Sequence, residues 1–141
     1  MKFSYSGEAA DIIANELMNT LPALPPETIL IHVPTITSHV RQRGFDHTKR
    51  IARELSVLGG LEHQNVLGRL GQHRQVGASR QHRLNKVKDS FWVRRSYLVE
   101  GKQVLLIDDV FTTGATVDAA ARVLKQAGAT RIDAVVFARA K

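Results

Sequence analysis

The chain has 141 residues, 43% of them hydrophobic and 23% charged, with no cysteine and a formal net charge of +7. This is globular rather than disordered composition, it describes one domain, residues 1–141, and it excludes a disulfide scaffold and a cysteine-based zinc module within the chain. No apolar run approaches the roughly 20 residues of a membrane span, the start MKFSYSGEAAD has no apolar leader, and the basic excess asks for anionic partners, so a cytoplasmic protein is expected.

Ser6 is a candidate cap for a first helix, in which Ala10, Ile13, Ala14, Leu17 and Met18 recur at the spacing of one buried face. LPALPPE (21–27), with three prolines, must be a loop, and TILIHV (28–33) reads as a short buried strand ended by Pro34. After the polar stretch TITSHVRQRGFD, Asp46 is placed to cap a second helix. Its buried face is read as Thr48, Ile51, Ala52, Leu55 and Leu58, with Gly59 and Gly60 as its stop.

Residues 62–88 show no clean period; a short strand is expected near 65–67, followed by a long basic loop. FWV (91–93) reads as a strand and Gly101 as a turn. A strand over 103–107 then leads through a loop of small residues into a helix. That helix carries Val117, Ala120, Ala121, Leu124 and Ala127 on one face and Gly128 at its C-terminal cap. IDAVVFA (132–138) reads as another buried strand. Strand, loop, helix and strand in this order make a parallel crossover, so the fold class is α/β, a mainly parallel sheet flanked by helices.

The segment VLLIDDVFTTGAT (104–116) carries the chemistry. In an open parallel sheet, ligands bind beyond the carboxyl ends of the strands, and Asp108 and Asp109 stand at such an end. The loop Thr112, Thr113, Gly114, Ala115 and Thr116 runs into a helix start, whose backbone N–H groups favour a phosphate. Gly114 allows close backbone approach, and the threonine hydroxyls add donors. Carboxylates would repel that phosphate if they touched it, so they must face sugar hydroxyls, a divalent cation, or both. A phosphorylated sugar with vicinal hydroxyls and Mg²⁺ satisfies the whole pattern; an ordinary strand end with capping aspartates is the alternative.

Neither G-x-x-x-x-G-K-[ST] nor G-x-G-x-x-G occurs, and the six histidines show no metal-ligand spacing. From Arg69 to Arg95 there are eight Lys or Arg against one acid, Asp89, which makes either a solvated basic face or a phosphate-facing one.

The acid pair and its loop resemble the phosphoribosyl pyrophosphate (PRPP) motif of type I phosphoribosyltransferases. RQRGFDHTKRIARELS, VGASRQHRLNKVKDSFWV and GKQVLLIDDVFTTGATVDAAARVLKQAGA together resemble three segments of the competence protein F (ComF) family, over roughly residues 28–141. The resemblance implies a type I phosphoribosyltransferase-like, Rossmann-like fold. It implies that Asp108 and Asp109 bind ribose, directly or through Mg²⁺, and that residues 112–116 bind the 5′-phosphate. HVPTITSH departs from the family's usual PVPLHP at the pyrophosphate loop. The four-cysteine zinc module of many relatives is missing, and Thr112 stands where purine-using relatives often carry an aspartate.

If the chain is catalytic, a nitrogen nucleophile displaces pyrophosphate at the anomeric carbon. Arg41 and Arg43 are then candidates to face pyrophosphate, and Arg80 and Arg83 to close as a lid. The competing reading is a non-catalytic DNA-uptake module of natural transformation, binding single-stranded DNA or an ATP-dependent DNA translocase. The family's fold commonly dimerises, which makes a homodimer an expectation. Of the aromatic residues near the basic run, Phe91 is assigned to the core.

Overall fold

The computed structural model describes residues 7–34, 46–69, 91–111 and 114–139. Helix α1 (Gly7–Thr20) is followed by β1 (Ile29–His32), α2 (His47–Gly59), β2 (Glu62–His63), β3 (Leu67–Arg69) and β4 (Phe91–Val93). A 3₁₀ turn (Ser96–Leu98), β5 (Gln103–Phe111), α3 (Ala115–Gln126) and β6 (Arg131–Arg139) complete the chain. Ser6 and the segments carrying Arg41, Arg43, Arg80, Arg83, Thr112 and Thr113 lie outside the described residues.

Four strands form one parallel sheet in the order β2-β1-β5-β6, and β3 and β4 pair antiparallel beside it. From β1 the chain crosses to one side of the sheet, through α2 to β2; from β5 it crosses to the other, through α3 to β6. Crossovers of one hand running in opposite directions put their helices on opposite faces. The packing follows that rule. Ile29, Ile31, Val33, Val104 and Leu106 meet α3 and the β3–β4 hairpin, while Leu30, Leu105 and Ile107 meet α1 and α2. All four residues of β1 are consequently buried, and its aliphatic run has no polar alternation because both faces are covered.

Local signals account for the helix ends. Asp46 has extended backbone and its side chain accepts from the Lys49 N–H at 3.2 Å, and Gly60 closes α2 in the left-handed conformation. On α1, Ala10 and Ala14 are buried and Ile13, Leu17 and Met18 pack against the same core. On α3, Ala120 and Leu124 are buried as expected, together with Ala119.

Four expectations are corrected. The strand expected near 65–67 is instead two short strands, at 62–63 and 67–69, because residues 64–66 carry the chain from one sheet to the other. Leu58 is 46% exposed: the buried face of α2 turns through His47 and Thr48 rather than reaching its last turn. The strand expected over 103–107 runs on to Phe111, so the acid pair lies within β5 rather than after it.

β6 differs most. It is an edge strand among the described residues, with Asp133 and Ala134 exposed and Ile132, Val135, Val136 and Phe137 only half-buried. Arg131 and Asp133, 3.0 Å apart, place charge along this edge, which discourages pairing with another chain.

Candidate functional site at the carboxyl edge of the sheet

Because the chain leaves β1 toward β2 and leaves β5 toward β6, the strand order reverses between β1 and β5. That is the crevice in which open α/β sheets bind ligands. β1 is in register with β5 through His32 and Ile107, and the Val33 N–H still donates to the Ile107 carbonyl at 2.8 Å. Asp108 is the next residue. Its other neighbour, β6, continues beside it, with Asp108 opposite Val136. The first acid of the pair thus sits where the two central strands part.

Alternation continues the face of Val104 and Leu106 through Asp108, and that of Leu105 and Ile107 through Asp109. Asp108 is 5% exposed, and one of its carboxylate oxygens accepts the Asp109 N–H at 2.8 Å. Burial pushes the Asp108 carboxyl up to about 7, with the negative charge of Asp109 adding to it; the bond from the Asp109 amide and the charge of Arg69 oppose. A carboxylate held in so costly an ionised state gains strongly from a cation or from hydroxyl donors.

Helix α3 begins just beyond. Gly114 is its N-cap, at φ 84°, a conformation costly for any residue with a Cβ, and no side chain caps the helix there. Ala115 and Thr116 open its first turn, and Asp118 follows, paired with Arg122 at 3.0 Å. Of the residues expected at the site, the structure brings Asp108, Asp109, Gly114, Ala115 and Thr116 to the carboxyl edge of β5; the other candidates lie outside the described residues.

Hard oxygen donors of this kind suit Mg²⁺, which is commonly held by one or two carboxylates together with water and substrate phosphates. Among the described residues no group of three or more His, Asp or Glu could hold a metal. The donors at Asp108 and Asp109 fit a substrate-borne Mg²⁺.

Two features escaped the sequence. Arg69, at the end of β3, donates from Nη1 to the Pro34 carbonyl at 3.0 Å and lies over the Phe91 ring, 5.1 Å from its centroid. Asp108 and Asp109 both favour its charge against burial. In the sequence it was one basic residue among eight. His32 and His63 end adjacent parallel strands, with Nδ1 and Nε2 2.9 Å apart, so one ring donates to the other. Burial lowers His32 to about 4, assisted by His63, Lys49 and Arg53 and opposed by Asp46. Burial also lowers His63, followed by Arg53 and Lys49. Both rings are therefore neutral near pH 7. Their separation of 31 residues gave no spacing signal; only the β1–β2 register joins them.

The comparisons with known proteins agree with this geometry. The family model of the phosphoribosyl transferase domain matches residues 40–141. The competence protein ComFC of Bacillus subtilis (strain 168) is 28% identical over 131 residues, covering 90% of this chain and 52% of that protein. The competence protein ComFC of Streptococcus pneumoniae (strain ATCC BAA-255 / R6) is 27% identical over 97 residues, 69% of this chain and 41% of that protein. The chain thus spans about half the length of these relatives, and the resemblance to the ComF family is borne out.

Among solved structures, the glutamine PRPP amidotransferase of B. subtilis superposes with a TM-score of 0.65 at 18% identity, over 93% of this chain and 26% of that one. An adenine phosphoribosyltransferase superposes with a TM-score of 0.59 at 13% identity, over 96% of this chain and 70% of that one. At such identities the likeness concerns the fold, a type I phosphoribosyltransferase architecture. With its family match, its sheet order and its acid pair at the switch point in agreement, the chain belongs to the phosphoribosyl transferase domain family.

Proposed function

We propose that the carboxyl edge of β5 binds PRPP, or a nucleotide built on ribose 5-phosphate, together with Mg²⁺. The observation that carries this reading is the buried Asp108, paired with Asp109 at the strand-order reversal and followed closely by the Gly114-led start of α3. The carboxylates accept from the vicinal ribose hydroxyls, and the first turn of α3 receives the 5′-phosphate with Gly114, Ala115 and Thr116. Asp108 and Asp109 would hold Mg²⁺, directly or through ribose hydroxyls or water, where it would offset the charge of the diphosphate.

With a nitrogen acceptor present, the acceptor lone pair forms a bond to the anomeric carbon as the bond to the diphosphate oxygen breaks, and pyrophosphate leaves with the electron pair. Calorimetric titration of PRPP with Mg²⁺ into wild type and an Asp108→Asn/Asp109→Asn variant tests the ligand. Binding lost in the variant supports the reading; no binding to a well-folded wild type refutes it.

A second reading has its own observation. Trp92 on β4 is 44% exposed, the Arg94 guanidinium lies 4.8 Å from its ring centroid, and Tyr97 is exposed two residues beyond Arg95. Aromatic rings beside arginines suit single-stranded nucleic acid, and the relatives are named competence proteins. On this reading the chain is a DNA-uptake module that binds single-stranded DNA or a DNA-translocating partner. DNA affinity that falls steeply with salt, and falls again in Trp92→Ala, supports it; salt-insensitive or absent binding does not.

A further inference from the structure

The β3–β4 hairpin lies outside the four-stranded sheet, yet it packs on the same face as Asp108. Val66, Leu67 and Phe91 share one core with Val33, Val104 and Leu106. From this hairpin Arg69 reaches the Pro34 carbonyl, one residue past the last bond that zips β1 to β5, Val33 N–H to Ile107 carbonyl. Two contacts hold the arginine in place, the 3.0 Å hydrogen bond and the Phe91 ring, its centroid 5.1 Å from the guanidinium, and the negative charges of Asp108 and Asp109 favour its charge there. Phe91 is buried in the core, which packs against the ring on which the guanidinium lies.

We propose that Arg69 is a positioning residue for the carboxyl-edge site: its guanidinium clamps the end of β1 at Pro34 against the acid-bearing end of β5, and so sets the width of the crevice between them. The chemistry requires arginine. A planar fork can donate to a carbonyl and lie flat on an aromatic ring while its charge faces carboxylates, and a lysine ammonium cannot do all three. The clamp acts on the β1 side of the crevice, whereas the 5′-phosphate is assigned to the α3 side. For PRPP the diphosphate end is therefore the part that depends on it, which rests on the function proposed above.

Two measurements on wild type, Arg69→Met and Arg69→Lys test the clamp. Without ligand, amide hydrogen exchange at Val33 rises by about tenfold or more in Arg69→Met, a loss expected for a charge-assisted hydrogen bond, while Ile31 keeps its protection. With Mg²⁺, Arg69→Met loses about tenfold or more in PRPP affinity, ribose 5-phosphate affinity changes by less than about threefold, and Arg69→Lys falls between. Unchanged exchange at Val33 overturns the clamp. So does equal weakening of both ligands, which a general loss of stability would produce, or unchanged affinity for both. If wild type binds neither ligand, the PRPP reading fails by itself, and the Val33 exchange still decides whether Arg69 clamps the strands.

Discussion

Replacing Asp108 by asparagine should make the protein more stable while weakening the binding proposed for its site. In the folded chain the Asp108 carboxyl is pushed from 3.8 up to about 7, chiefly by burial. Between those values the folded chain keeps a proton that the unfolded chain releases. Stability therefore falls as pH rises through this window, and the whole cost is present only above about 7. At 1.36 kcal/mol per pH unit the cost is roughly 4 kcal/mol. Asparagine removes the charge and keeps an oxygen to accept the Asp109 N–H, and the attraction to Arg69 is already counted in that net cost. The net gain is then about 2–4 kcal/mol at about pH 8.

The assay is urea unfolding of wild type and Asp108→Asn in the presence of a chelator, at about pH 8 and about pH 4. With an m-value of about 2 kcal/mol/M, the midpoint of the variant should lie about 1–2 M higher at the alkaline pH and match wild type at the acid one. An Asp108→Asn protein less stable than wild type at about pH 8, or a gain equal at both pH values, would refute the assignment of this cost to a buried charge. The same protein should bind PRPP with Mg²⁺ far more weakly, so stability and binding would move in opposite directions at one residue.

The histidine pair predicts the opposite pH response. His32, lowered from 6.5 to about 4, refuses a proton that the unfolded chain accepts, so acidification through that window costs roughly 3 kcal/mol. His32→Val should flatten the fall in urea midpoint between about pH 7 and pH 4, and an unchanged slope would refute this. At Gly68 an added Cβ would lie 2.1 Å from the Trp92 ring, so Gly68→Ala should displace Trp92 at a cost of about 1–3 kcal/mol. Trp92 is the only tryptophan, and its fluorescence should shift to the red; unchanged emission and stability would contradict the close packing. Gly114→Ala, forced to a φ of 84°, should cost about 1–2 kcal/mol in urea unfolding and weaken binding of ribose 5-phosphate, and a neutral result in both would argue against that conformation.

Much of the molecule was legible in the order of its residues. Helix faces, the Asp46 cap, the Gly60 stop and the aliphatic runs of β1 and β5 are local signals, since each depends on residues a few positions apart. The acid pair, the glycine and the threonines could be read as a sugar-phosphate site for the same reason: a strand end and a helix start adjoin in sequence, so their chemistry is contiguous.

What the sequence could not settle depends on which strands become neighbours. The run IDAVVFA has the apolarity of a central strand, but β6 is left at an edge because its neighbour on one side is β5 and, among the described residues, no strand lies on the other. Burial follows from sheet order, and order is a long-range property. His32 meets His63 and Arg69 meets Pro34 across separations of 31 and 35 residues, through strand register and the packing of a hairpin. The sequence by itself marked most of the helices and strands and brought together the acid pair, glycine and threonines from which the sugar-phosphate reading is proposed. Tertiary structure alone decided that Asp108 would be buried at a reversal of strand order and that an arginine from outside the sheet would reach the end of β1 beside it.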